Sequence, residues 1–141
     1  MMDKIEVTID VIVHATEDVS KIFQSFKILE LKEDDFTIEA TEGYFENPII
    51  VLNAKIVKNQ AQKFMKKLLE LLPSEQVDDL IEEIEERTVD SRFHMRLDKQ
   101  ELIKGNLRVK EKDTIKLKIH TPIYNKKDTV KIFTEIFHNV N

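Results

Sequence analysis

The chain has 141 residues, a net charge of −5 and no cysteine. This length suits one domain with one hydrophobic core, and the missing thiols exclude a disulfide framework and a thiolate metal site. No apolar run approaches the ~18 residues of a membrane span, and the charged opening "MMDKIEVTID" has no signal-peptide h-region, so a soluble cytoplasmic protein with no membrane partner is expected.

Residues 3–13, "DKIEVTIDVIV", alternate apolar and polar, which predicts a half-buried strand. "HATED" at 14–18 follows. Thr16 is a candidate helix N-cap, with Glu17 and Asp18 supplying the negative charge that a helix N-terminus favours. The other reading is an anion or base contact involving His14 at that N-terminus, although the two acids would repel a phosphate. Val19, Ile22, Phe23 and Phe26 then recur at helical spacing to about Lys27.

Residues 36–41 form the next expected strand, with Phe36, Ile38 and Ala40 on one face. "EGYFENP" interrupts it through Gly43 and the turn pair Asn47-Pro48. "IIVLNAKIV" resumes as a strand, so a hairpin with a seven-residue loop is expected. Tyr44 and Phe45 stand side by side in that loop. They either tuck into the core or offer a surface for stacking an unpaired base or docking a protein.

Residues 59–72 read as an amphipathic helix stopped by Pro73. Ser74 is then a candidate cap for a second helix with the stripe Val77, Leu80, Ile81 and Ile84. Seven of the chain's 27 acids fall in 75–86, "EQVDDLIEEIEE", with no base among them. The net charge therefore hides a split: one strongly acidic helix, and a remainder in which the 22 bases slightly outnumber the acids. Fields decay within about 10 Å at 0.1 M salt, so such a chain can still bind an anionic partner.

"RFHMRLDKQELIKG" at 92–105 begins as a strand and ends as a helical turn. Phe93, Met95 and Leu97 face inward; Arg92, His94 and Arg96 face outward. Asp98 and Glu101 have capping-box spacing, and Gly105 suits the helix C-terminus. Capping does not need Arg96, Lys99 or Gln100. Arg96 could pair with Asp98 or hold a phosphate bidentately, and Gln100 could read a base edge. "NLRV" and "TIKLKIHT" are expected strands, the second exposing Lys116, Lys118 and His120. Such basic rows are either a solvated sheet face or, if adjacent, a cationic surface for a phosphate backbone. A last helix runs from about Lys127 to His138, with Val130, Phe133, Ile136 and Phe137 inward.

The resulting order, β-α-β-β-α-α-β-α-β-β-α, predicts a single α+β domain over 1–141. Its sheet is mainly antiparallel, with helices on one face. There is no glycine-rich phosphate loop, nucleophile elbow or His-Glu-x-x-His. The histidines His14, His94, His120 and His138 lack metal-site spacing. No metal, cofactor or catalytic residue is expected; a centre built on His14, Asp98 and Lys99 would lack a visible nucleophile–base pair.

"HATED", "EGYFENPI" and "RLDKQELIKG", in this order, resemble the archaeal RNA-binding family described as exosome-subunit-like. His14, Thr16, Glu17, Asp18, Glu42, Gly43, Asn47, Pro48, Arg96, Asp98, Lys99, Gln100 and Gly105 match its pattern. Glu46 departs from a glycine and Tyr44 from a common histidine, and 106–119 is short of aromatics. The resemblance implies a fold similar to the 5S-rRNA-binding ribosomal protein, with features of a double-stranded-RNA-binding domain, and a homodimer.

Together these point to a non-catalytic protein that binds structured or double-stranded RNA. Arg92, Arg96, Lys99, Lys116 and Lys118 would meet phosphates. His14, Asn47 and Gln100 would make polar contacts, and Tyr44 or Phe45 would stack. The alternative is a protein-interaction or dimerisation module that docks exosome or ribosomal components through the acidic helix. A single site further requires that the three motifs meet in space.

Overall fold

The computed structural model describes residues 4–42, 48–112 and 114–138. Six strands form one antiparallel sheet: β1 (Glu6–His14), β2 (Phe36–Glu42), β3 (Pro48–Val57), β4 (Thr88–Val89), β5 (Arg92–Asp98) and β6 (Thr114–His120). Their order across the sheet is β2-β3-β1-β6-β5-β4. The helices are α1 (Val19–Ser25), α2 (Lys58–Leu71), α3 (Ser74–Glu82), α4 (Ile84–Arg87), α5 (Lys99–Ile103) and α6 (Thr129–His138).

The strand alternation dictates the layering. Ile5 and, on β1, Val7, Ile9, Val11 and Val13 are buried, as are Phe93, Met95 and Leu97 of β5 and Ile115, Leu117 and Ile119 of β6. They form one core with the apolar stripes of α1, α2 and α6. Phe93 packs against Phe133 and Phe137 with ring centroids 5.7 and 5.0 Å away. Among the described residues no helix covers the opposite face of the sheet, the common condition of an antiparallel sheet. The α+β architecture with helices on one face is therefore as expected.

Several local expectations are corrected. Asp18, not Thr16, caps α1: its carboxylate accepts the Ser20 N–H at 2.9 Å. Ser74 is the first residue of α3 and its side chain makes no capping bond. Val130 is 40% exposed, not inward. "NLRV" is not a strand of its own; it contributes one bridge, Leu97 to Val109, at the end of β5. β4 was not anticipated. It turns into β5 through Asp90 and Ser91, both at positive φ (51° and 65°), the geometry of a two-residue hairpin turn that asparagine and glycine usually mark.

Candidate nucleic-acid interface

β5 and β6 pair with Arg92 opposite His120, His94 opposite Lys118 and Arg96 opposite Lys116. The two basic rows predicted from alternation are thus neighbours on the open face. Like charges placed directly across a strand pair are destabilising. Among the described residues none of Arg92, Arg96, Lys116 and Lys118 has an ion pair to offset this. Among the described residues Arg96 donates to the Glu111 carbonyl, at 3.3 Å, and Arg92 to that of Asp90, at 3.2 Å. At about 3.3 Å per residue, Arg92 and Arg96 stand roughly 13 Å apart along the strand.

His94 lies in the middle of this field. Burial first, then the charges of Lys118, Arg92 and Arg96, hold its imidazole below its ordinary pKa. On the β1 side the basic area ends at Asp10, which is opposite Lys116 in register and accepts a hydrogen bond from Asn53. Beyond it the open face is mixed, with the Lys55–Glu6 ion pair and with Ile12 and Val57 each about two-fifths exposed. On the β4 side lies a cleft of about 350 Å³ whose lining includes Glu86, Val89, His94, Arg96 and Lys118. Its wall is braced by Arg87, which binds Glu83 at 2.8 Å and Glu111 at 2.9 Å.

A second polar cluster lies at the end of the sheet where β5 runs into α5. Lys99 is 1% exposed. Its ammonium donates to the Ile12 carbonyl and to the Glu17 carboxylate, both at 2.8 Å. Glu17 also accepts the His14 N–H at 2.9 Å and faces the Gln100 amide at 3.4 Å. Burial raises the Glu17 carboxyl, but the bonds from Lys99 and His14 outweigh it and hold the group below its usual pKa. Asp98 caps α5 by accepting the Glu101 N–H at 3.1 Å. Gly105, at φ 92°, ends the turn as expected.

"HATED" and "RLDKQ" therefore meet, but not as a ready-made anion site. Lys99, expected among the phosphate contacts, points inward and holds the sheet end together. His14 and Gln100 are exposed at this end. Ile49 pairs with His14, so the strand that follows "EGYFEN" runs beside the cluster. Tyr44, Phe45 and Asn47 lie outside the described residues. Arg92, Arg96, Lys116 and Lys118 belong to the open face instead. The roles of Glu17, Arg87 and Glu111 were not foreseen from the sequence. The Glu17–Lys99 and Arg87–Glu111 pairs are long-range, and local spacing carries no signal for them. Among the described residues no group of three or more histidines and acids is placed to hold a metal, and no helix is long and apolar enough to cross a membrane.

A family model described as RNA binding matches residues 6–121. An uncharacterised protein of Methanocaldococcus jannaschii is 31% identical over 137 residues, spanning 89% of this chain and 91% of that one. A Pyrococcus abyssi protein named as RNA-binding is 36% identical over 115 residues, spanning 76% of this chain and 75% of the other. Among solved structures, one of an Archaeoglobus fulgidus protein superposes with a TM-score of 0.80 at 27% identity, covering 93% of this chain and 97% of its own. One from Methanothermobacter thermautotrophicus gives 0.74 at 27% identity, covering 96% and 100%.

Proposed function

The chain belongs to the RNA-binding family, and from that premise we propose that it binds structured or double-stranded RNA, without catalysis, through the open face of β5 and β6. The observation that carries this is the basic quartet Arg92, Arg96, Lys116 and Lys118 on two adjacent strands, with Arg96 directly opposite Lys116 and no ion pair to any of the four among the described residues. Folding alone gains nothing from like charges so placed. A phosphate backbone makes them favourable.

A sheet face suits RNA duplexes for a geometric reason. The A-form minor groove is wide and shallow, so its phosphates and 2′-hydroxyls are reached by a surface rather than by an inserted helix. Of the acidic stretch, α3 packs in the helix layer, and its field is screened over about a Debye length, roughly 8–10 Å near physiological salt, while Glu86 of α4 reaches the cleft beside β4. His14 and Gln100 are candidates to extend the contact at the end of the sheet, and Tyr44, Phe45 and Asn47 remain candidates on their chemistry.

The test is a titration of a short RNA duplex by anisotropy at several salt concentrations. Three to four phosphate contacts give a slope of log affinity against log salt of about −3 to −4, at roughly 0.9 per contact as for DNA. Arg96→Ala reduces that slope by about one and weakens binding alike across sequences. Salt-independent binding, or none at low salt, would overturn the proposal.

A further inference from the structure

The cleft beside β4 holds groups that a phosphate surface does not need. Val89 gives it an apolar wall that is 58% exposed. Glu86 adds a carboxylate with no ion pair among the described residues. The other acid of the lining, Glu111, is already bound to Arg87. A polyanion alone would be repelled by Glu86. A nucleobase would not: it has flat apolar faces and N–H donors at its edge.

We infer that this cleft takes a single unpaired guanine of the bound RNA, its face against Val89 and His94, its Watson–Crick edge on Glu86, and its flanking phosphates on Arg96 and Lys118. The inference rests on the RNA-binding reading of the adjoining face. Guanine is chosen by donor count. An ionised carboxylate accepts through two oxygens, and guanine offers its ring N–H and exocyclic amine side by side. Adenine, cytosine and uracil each present one donor group on that edge. The volume, about 350 Å³, lies at the lower end of the ~300–1,000 Å³ of small-molecule sites. The His94 imidazole, its pKa lowered by burial and then by its cationic neighbours, can lie against a base, as ring side chains do in single-strand recognition.

The experiment compares a short blunt RNA duplex with the same duplex carrying one bulged nucleotide, as G, A, C or U. Bulged G is expected to bind about tenfold tighter than the blunt duplex and than bulged A, near the low end of one bidentate base contact. In Glu86→Gln an acceptor becomes a donor, so the G-specific gain over the blunt duplex disappears, while the loss of one negative charge leaves the blunt duplex bound at least as tightly as by the parent. Glu86 is exposed, and an unchanged unfolding midpoint confirms that the variant is folded. If the blunt duplex binds and bulges add nothing, or add equally for all four bases, the cleft inference falls and the RNA face stands. A G-specific gain that survives Glu86→Gln also overturns it. Failure of every RNA to bind overturns both.

Discussion

Arg96 and Lys99 stand three residues apart at the end of one strand, and the fold uses their charges in opposite ways. Arg96 looks onto the open face beside Lys116 with no carboxylate partner among the described residues. Lys99 turns into the protein, where the Ile12 carbonyl and Glu17 satisfy it. The first arrangement costs stability and leaves a field for a ligand. The second ties β1, the turn after it and α5 into one end of the sheet. A cation in a binding motif is therefore informative only once its burial and its partners are known.

The sharpest way to break this comparison is to remove the inward cation. Lys99→Met leaves Glu17 largely buried without its partner, a change that costs about 3–5 kcal/mol in comparable buried pairs. Chemical denaturation would measure the loss, and the RNA salt slope of the folded fraction should stay as in the parent. Adding Glu17→Gln should recover part of the stability. A stability change below about 1 kcal/mol, the scale of exposed pairs, would show that Lys99 is not a strut.

Glu17 adds a pH signature. Its folded carboxyl titrates below the unfolded value. The stability it contributes is therefore full above the unfolded pKa and is lost as pH falls through the folded one. Acid denaturation of Glu17→Gln should accordingly be less steep in that acidic window.

A smaller effect belongs to the cap between the two cations. Asp98→Ala removes the bond to the Glu101 N–H and should cost about 0.5–2 kcal/mol. An unchanged thermal midpoint would refute the cap.

The smallest effect sharpens the outward side. The His94 imidazole is held below its ordinary pKa, so the unfolded chain takes up that proton first. Stability from this group is present above about pH 6.5 and is lost as pH falls toward the folded pKa. Phosphates on the face would offset the neighbouring cations and raise the group again. RNA affinity should then increase on going from neutral to mildly acidic pH. His94→Gln should abolish that gain.

How far the sequence could be read follows from the range of each interaction. The Asp98 cap was legible because donor and acceptor are three residues apart. The outward sets of β5 and β6 were legible because side chains alternate strictly along a strand. Their adjacency was not, since the pairing of β6 between β1 and β5 leaves no local mark. Thr16 was expected as the cap and Asp18 only as first-turn charge, and that reading failed for the same reason. Both residue types fit the local rule, and Glu17 between them is held by Lys99, 82 residues away in sequence. The β4–β5 turn escaped notice because Asp90-Ser91 lacks the glycine that usually advertises positive φ. The cleft beside β4 depends on that turn, and was hidden with it.

The claim that the open face of β5 and β6, rather than the helix layer, meets RNA is tested most directly by two charge-reversal variants compared in one duplex-binding titration. Lys116→Glu with Lys118→Glu reverses the sheet face. Lys63→Glu with Lys66→Glu makes the same charge change on the exposed side of α2. The account predicts that the sheet variant binds roughly 100-fold more weakly at moderate salt, as loss of several phosphate contacts requires, while the helix variant stays within about threefold of the parent, an effect of screened, non-contacting charge. Strong binding by a folded sheet variant, or selective loss in the helix variant, would contradict it.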